Sequence, residues 1–295
     1  MLSALTAAVS GVSPWKWHAH LDVWALMLTI GGVYLFAVRN IGPRLVKPGQ
    51  PVVTRRQVVH FSLGLVALWA HADWPIHDIA EQYLFSAHMF QHIGFTLVAA
   101  PLLLLGTPEW MMNWLLGRGT RRAIFSRLAR PLAAGLFFNA VVVFTHWPVI
   151  VNASVTSEWS HFALHSLAVS SALLMWFPII NRIRDLPTMS PPGRMLYLFL
   201  QSVIPTVPAA FLTFGDGVIY RFYADVPRIT SMSAVEDQQF AGALMKIYAG
   251  LLLWGVIVVM FFRWYAEDSR DKTADVLTWD DVERELARTA PPPSG

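Results

Sequence analysis

The chain of 295 residues contains no cysteine, which excludes disulfides, iron–sulfur clusters, thiolate zinc sites and cysteine nucleophiles. Charge is also scarce. Asp, Glu, Lys and Arg make up 14% of the residues, against about 25% in an ordinary soluble domain. No P-loop, GxGxxG or HExxH is present, and serines near histidines, such as Ser86 and Ser166, have no ordered acidic partner. What is abundant is apolar: 55% hydrophobic residues, with 18 Phe and 13 Trp, too much to stay solvated in a disordered chain. The composition is that of an integral membrane protein. Its net charge of +3 bears on where the basic residues sit relative to the bilayer and gives no reason to expect nucleic acid.

A bilayer-crossing helix needs about 20 apolar residues, and such runs recur seven times, near 21–38, 57–72, 83–105, 131–151, 160–180, 195–214 and 239–262. Backbone polar groups in lipid must be satisfied within the segment, so the expected fold is all-α, a polytopic bundle of seven transmembrane helices. Residues 1–265 form its membrane domain. Met1 to Ser13 is mildly apolar without a basic leader and reads as an extracytoplasmic N-terminus rather than a cleaved signal. Lys and Arg fix the orientation. Eighteen of the 22 fall in segments 39–56, 106–130, 182–194 and the tail from Arg263, all on one side; Lys16, Arg221 and Arg228 are on the other. The positive-inside rule then puts the N-terminus out and the C-terminus in. In the cytoplasmic tail, 266–295, Thr278 and Asp281 resemble a capping box, and Trp279, Val282 and Leu286 share one face of a short amphipathic helix.

The histidines provide an independent observation. With sides set by Lys and Arg alone, nine of the ten fall toward the outer face, and His60 alone lies toward the inner one. His88 with His92, and His161 with His165, are i,i+4 pairs on single helix faces, so both imidazoles of a pair can reach one metal. His18 and His20 form an HxH at a membrane boundary, and His71 and His146 end helices 2 and 4. A lone intramembrane histidine is usually a packing or hydrogen-bonding group. Six together point to a site, because ionisable residues in a membrane are costly.

The pattern repeats. His71, Trp74-Pro75, Glu81 and then His88/His92 match His146, Trp147-Pro148, Glu158 and then His161/His165. Two such units related by an axis along the membrane normal would converge six histidines on one outer-leaflet cavity. Imidazole suits Zn, Cu, Fe and Ni, and Met89 or Met245 would add soft character favouring Cu(I). Haem is the alternative, limited to one group near the outer surface because His60 has no inner partner.

Helix 7 brings another polar cluster. Glu236, Asp237, Gln238 and Gln239 sit at its mouth and Lys246 lies about 10 Å deeper. A buried lysine needs a carboxylate, for which Asp237 and Asp22 are candidates. Pro101, Pro178, Pro205 and Pro208 should kink their helices, with helix 6 the one expected to break.

The run His88-Met89-Phe90-Gln91-His92, continuing to Ala100-Pro101-Leu102-Leu103-Leu104-Leu105-Gly106-Thr107-Pro108, resembles the Caa3-type CtaG family of cytochrome c oxidase assembly proteins. So do the second HxxxH with Met175-Trp176-Phe177-Pro178, and Asp237-Gln238-Gln239-Phe240-Ala241-Gly242. The likeness covers about residues 15–265. It implies a seven-helix protein of the bacterial plasma membrane that is needed to mature haem–copper oxidase, is not an enzyme, and has oxidase subunits in the same membrane as partners. Joined to the histidine pattern, it leads us to expect copper. His88, His92, His161 and His165 would be direct ligands, with His71 and His146 as further ones. Glu81 or Glu158 would fix imidazole tautomers, and His18 and His20 would collect the ion. A single-haem redox protein and a copper transporter are the rival readings.

Overall fold

The computed structural model describes residues 15–274 other than 182 and 184, together with 279, 283, 284 and 288. Among them the regular structure is all helical. Helices occupy each of the seven expected places: α1 (Leu21–Leu45), α2 (Arg55–Ala72), α4 (Phe85–Gly106), α7 (Pro131–Thr145), α9 (Glu158–Ile180), the pair α10 (Pro191–Val203) and α11 (Thr206–Phe214), and α13 (Ala234–Arg270). Shorter helices lie between them: α3 (Ile76–Gln82), α5 (Glu109–Leu116), α6 (Thr120–Leu128), α8 (Pro148–Val155) and α12 (Arg221–Asp225). The extracytoplasmic N-terminus lies outside the described residues. So does most of the tail helix: Trp279 is exposed, while Thr278, Asp281, Val282 and Leu286 are not described.

Five of these helices are long and apolar enough to cross a membrane: α1, α4, α9, α10–α11 taken together, and α13. The two exceptions have local causes. α2 opens on Arg55, Arg56 and Gln57, drawn into helix by a capping box from Thr54. α7 stops at Thr145, so the expected run 131–151 is broken. Trp147 precedes Pro148 and is held extended, as the proline ring requires, and 15 residues rise only about 22 Å. Joined to α6 across a 75° bend, α7 meets the same test. The break between α10 and α11 falls at Pro205, as expected, with Lys246 Nζ donating to Thr206 Oγ1 just beyond it (2.7 Å).

The interior is more polar than the outside. Asp73, Asp78, Gln91, Asn139, Gln201, Asp237 and Gln238 are buried, whereas Leu28, Leu132, Phe211 and Phe214 are exposed. This is the inverse of a water-soluble protein and what a lipid surround demands. Helices meet through small residues. A Cβ on Gly106 would come 2.3 Å from the Phe61 backbone nitrogen, and one on Gly64 2.8 Å from that of Leu103, so α2 and α4 pack backbone to backbone. Buried polar groups then cross-link the spans: Asn139 Nδ2 donates to Gln201 Oε1 (2.6 Å), and Trp176 Nε1 donates to the Thr96 carbonyl (2.9 Å). Thr96 lies in a π-helical turn, Gly94–Ala99, directly after His92; a second, Leu244–Tyr248, interrupts α13.

The repeat is visible in the fold. Each unit is a helix ending at or next to a histidine, a Trp-Pro turn, a short helix and then a long helix bearing an HxxxH: α2–α3–α4 and α7–α8–α9. His71 and His146 even share a contact, each Nδ1 donating to the carbonyl four residues earlier, Ala67 (2.7 Å) and Val142 (2.6 Å).

Close α2–α4 packing should make Gly106→Ala destabilising by about 1–3 kcal/mol, the usual range for overpacking, read as a fall of several degrees in unfolding temperature in detergent. Gly255→Ala, where a Cβ meets nothing within 4 Å, should leave that temperature unchanged.

Candidate metal centre

The site is built on three helices: α3, the first turns of α4, and the first turns of α9. The start of α4 is fixed from α13. Leu84 ends the preceding turn without a capping side chain, and the wholly buried Asp237 supplies the cap instead. Its Oδ2 accepts from Phe85 N (2.8 Å), and its Oδ1 accepts from Ser86 N (3.2 Å) and the Ser86 hydroxyl. A carboxylate on the exposed amides of a helix N-terminus gains from both hydrogen bonding and the helix dipole. Arg228 Nη1 stands 4.0 Å away. Asp237 is therefore committed to the first turn of α4, and the expected pairing with Lys246 is corrected: the lysine donates to Thr206 Oγ1 instead.

From that anchor, α4 presents His88 and His92 to α9. The ring centroids are 4.5 Å apart for His88–His92, 4.8 Å for His92–His165 and 4.0 Å for His161–His165. His88, His92 and His165 can each bring one ring nitrogen within 4.8 Å of the other two. A tetrahedral ion with bonds near 2.0 Å asks for nitrogens about 3.3 Å apart, so a small contraction closes the set.

A second group adjoins it. His77 and Glu81, an i,i+4 pair on α3, meet His161, again with ligand atoms within 4.8 Å. Glu81 Oε2 is 3.4 Å from His77 Nε2, and Oε1 is 2.7 Å from His161 Nε2. Glu81 Oε1 is thus the ion-pair partner of His161 Nε2, and Nδ1 is the His161 nitrogen left without one. Gln91, fully buried, ties the two groups: its amide donates to His77 Nδ1 (3.3 Å) and to the His71 carbonyl (2.7 Å).

The column continues at both ends. His20 packs on His77 with centroids 4.6 Å apart, and His18 and His20 hold the two oxygens of Asp78 at 2.9 and 2.7 Å. The His18 side chain is 44% exposed. At the other end His92 meets His146 at 5.7 Å, and His146 lines a cavity of about 80 Å³ with Met89, Met175 and Met245. Eight histidines thus run from the surface to a buried cavity.

Two expected members are elsewhere. His71 lies against Phe90 and Phe95, its ring seated where a Gly94 side chain would be, and it joins neither three-residue group. Glu158 is exposed in the first turn of α9, where its charge suits the helix dipole. The repeat is unequal: α3 supplies His77, Asp78 and Glu81, while α8 carries no ionisable side chain. His77, Asp78 and Gln91 were not singled out by sequence, although the His77/Glu81 spacing is the same i,i+4 signal read for the other pairs.

The feature with the clearest chemical meaning is what these imidazoles lack. Buried ring nitrogens with neither a hydrogen-bond nor an ion-pair partner occur at His88 (Nδ1), His92 (Nε2), His161 (Nδ1) and His165 (Nε2). One orphaned buried polar atom costs about 1–3 kcal/mol, and four clustered ones are hard to reconcile with a purely structural role. An ion accepting their lone pairs would offset that cost.

Outside the spans, the charges are set by contact. The hydrogen bond to Asp78 raises the pKa of His20 above its ordinary 6.5 against the opposing effect of burial. Burial would raise Asp78, but His20 and His18 outweigh it and hold the carboxyl below its ordinary 3.8. Burial keeps His77 low and neutral. Glu81 is likewise pushed up by burial and pulled down further by His161 and His77.

The His20–Asp78 contact has a definite pH window in metal-free protein. A raised histidine contributes stability that is complete below 6.5 and disappears as pH climbs through its folded value. A depressed carboxyl contributes stability present above 3.8 and lost as pH falls through its own folded value. Histidine-selective NMR should find His20 titrating above 6.5 and returning toward it in Asp78→Asn; an unchanged His20 in that variant would remove the contact.

The profile for "Cytochrome c oxidase caa3 assembly factor" matches residues 32–267. Uncharacterised proteins of Mycobacterium bovis and Mycobacterium tuberculosis are each 27% identical over 229 residues, 67% of this chain and 33% of theirs. One from Mycobacterium leprae is 25% identical over 305 aligned positions, 90% of this chain and 42% of its own. The chain therefore spans a third to two-fifths of the length of these relatives. No solved structure matches. With the family match running through α1 to α13, and so through every histidine from His60 to His165, the chain belongs to the cytochrome c oxidase caa3 assembly factor family.

Proposed function

We propose that the protein assists assembly of cytochrome c oxidase by binding a copper ion as cargo in its histidine column and presenting it to an oxidase subunit in the same membrane. The observation that carries this reading is the set of unpartnered, buried imidazole nitrogens at His88, His92, His161 and His165. Unpartnered imidazole nitrogens are lone-pair donors suited to a borderline or soft cation.

The two groups give the cargo a route. His18 opens to solvent and, with His20, brackets the buried Asp78 carboxylate, whose charge attracts a cation; His77, Glu81 and His161 hold it with one anionic oxygen; His88, His92 and His165 hold it with nitrogen alone. Each step exchanges ligands between neighbouring rings. Neither three-residue group contains a hydroxyl or thiol nucleophile for its histidines to activate, which supports cargo handling over nucleophilic catalysis. The packing favours an ion over haem: ligand pockets run to several hundred Å³, and the cavity beside His92 and His146 offers about 80 Å³.

The same proposal sets the bilayer. All seven helical places cross it, with the N-terminus and the histidine column on the outer side of the plasma membrane and the Arg-rich segments inside. Helices α2 and α7 cross as well, sheltered by neighbours that satisfy their polar groups.

Two experiments test these parts separately. Removing two ligands in His88→Ala/His92→Ala should weaken copper binding by at least 100-fold in purified protein and lower the copper content of the oxidase in cells. Copper bound with wild-type amount and affinity, or an oxidase that matures normally, overturns the cargo reading. Because the chain has no native cysteine, Asp216→Cys and Arg118→Cys each give a single thiol. An impermeant maleimide should label Asp216→Cys in intact cells and Arg118→Cys only after permeabilisation; the reverse pattern inverts the topology.

A further inference from the structure

His146 ends α7, and the backbone it terminates fixes its ring. Nδ1 lies 2.6 Å from the Val142 carbonyl. A carbonyl only accepts, so Nδ1 carries the proton and the neutral ring turns a lone pair outward at Nε2. That lone pair faces Met89 Sδ at 3.2 Å. A thioether has no proton to give. Neutral His146 and Met89 therefore set two acceptors against each other, with Met89 1% exposed.

A second proton on the ring would gain only a weak contact to sulfur, in a cavity whose walls include no carboxylate. A soft monovalent ion gains two coordinate bonds instead. It also finds the thioethers of Met175 and Met245 on the same cavity wall. Thioether and imidazole together select Cu(I) over harder divalent ions. The neighbouring donor is His92, whose ring centroid is 5.7 Å from that of His146 and which belongs to the nitrogen-only group.

We propose that His146 Nε2 and Met89 Sδ form a second, soft metal site that takes a cuprous ion from the His88/His92/His165 group. This rests on the reading of that group as a metal site. The transfer is ligand exchange: the bonds from copper to His88 and His165 nitrogens break first, and the bond to His92 nitrogen last, as bonds to His146 Nε2 and Met89 Sδ form. Copper stays monovalent, His146 keeps its Nδ1 proton, and no electron moves. The carbonyl of His146 is itself held by the Tyr220 hydroxyl (2.8 Å), which keeps the ring in place.

The test is X-ray absorption at the copper edge on detergent-purified protein loaded with Cu(I) under anaerobic reductant, beside Zn(II) binding as a probe of the nitrogen-only group. Wild type should show a sulfur shell near 2.3 Å in addition to nitrogen. Met89→Leu, a nearly volume-conserving change, should lose that shell and about one Cu(I) per chain, with Zn(II) affinity within twofold of wild type. A nitrogen-only wild-type spectrum, or a sulfur shell that survives Met89→Leu, overturns the soft site and leaves the histidine group standing. Loss of Zn(II) binding in Met89→Leu also overturns it, because Met89 then acts through the packing of the histidines. Absence of both metals from wild type overturns the two readings together.

Discussion

One buried carboxylate positions the machinery. Asp237 of α13 caps the first turn of α4, and α4 carries His88, Met89, Gln91 and His92 within its next turns. A helix whose first amides are satisfied by a neighbour has its rotation and height set by that neighbour. Leu84 has no polar side chain with which to cap the turn itself, so without Asp237 those amides would be buried unpaired. The residues following Asp237 extend the same brace. Gln238 accepts from Ile219 N and donates to the Gly217 carbonyl, and Gln239 donates to the Gly215 carbonyl. The segment they hold returns Tyr220 to the His146 carbonyl and Tyr223 to that of Ala80. The Asp-Gln-Gln run is thus scaffold for the histidine cluster, although it reads by itself like a polar site.

Helix irregularity serves the same end. The π turn at Gly94–Ala99 follows His92 directly, and Gly94 admits the His71 ring against the helix. The Thr96 carbonyl within that turn is taken up by the Trp176 indole of α9, a bond that ties together the two helices bearing the HxxxH pairs. Such widened turns recur at functional sites because they realign side chains without ending the helix. Of the three among the described residues, one lies at the floor of the histidine cluster, one in α13 contributes Met245 to the cavity wall, and the third, Ala37–Ile41, lies in α1 away from the site.

Much of this was legible in sequence, and the reasons for success and failure are physical. Periodicity and run length located all seven helical places, because apolar stretches of that length have few alternatives. The i,i+4 histidine pairs came together because spacing on one helix face is a local property. The fate of His71 was not local: its ring direction depends on a glycine 23 positions away. Glu158 and Glu81 look equivalent in the repeat, but only Glu81 has a short helix, α3, to carry it to His161. Asp237 was read as a candidate partner of Lys246 because the sequence does not show which helix starts without a cap. His77 was overlooked because it stands in a loop region between apolar runs, although its spacing to Glu81 carried the signal.

The arrangement along the column gives the proposed cargo a direction. At the exposed end an ion meets Asp78 and two histidines; next, one carboxylate oxygen and two nitrogens; then nitrogen alone; last, nitrogen with sulfur. Anionic oxygen attracts any cation, as long-range charge does not discriminate. Neutral nitrogen holds only ions that gain enough from coordinate bonds to compensate for lost hydration. Sulfur adds preference for a soft ion. Each stage is therefore more selective than the one before it, and the column runs from an exposed His18 side chain to a buried Met89. Harder divalent ions would be retained near the carboxylates and released again to solvent, while copper would continue inward. A column of identical ligands would bind metal as well, but it would have no means of sorting one ion from another.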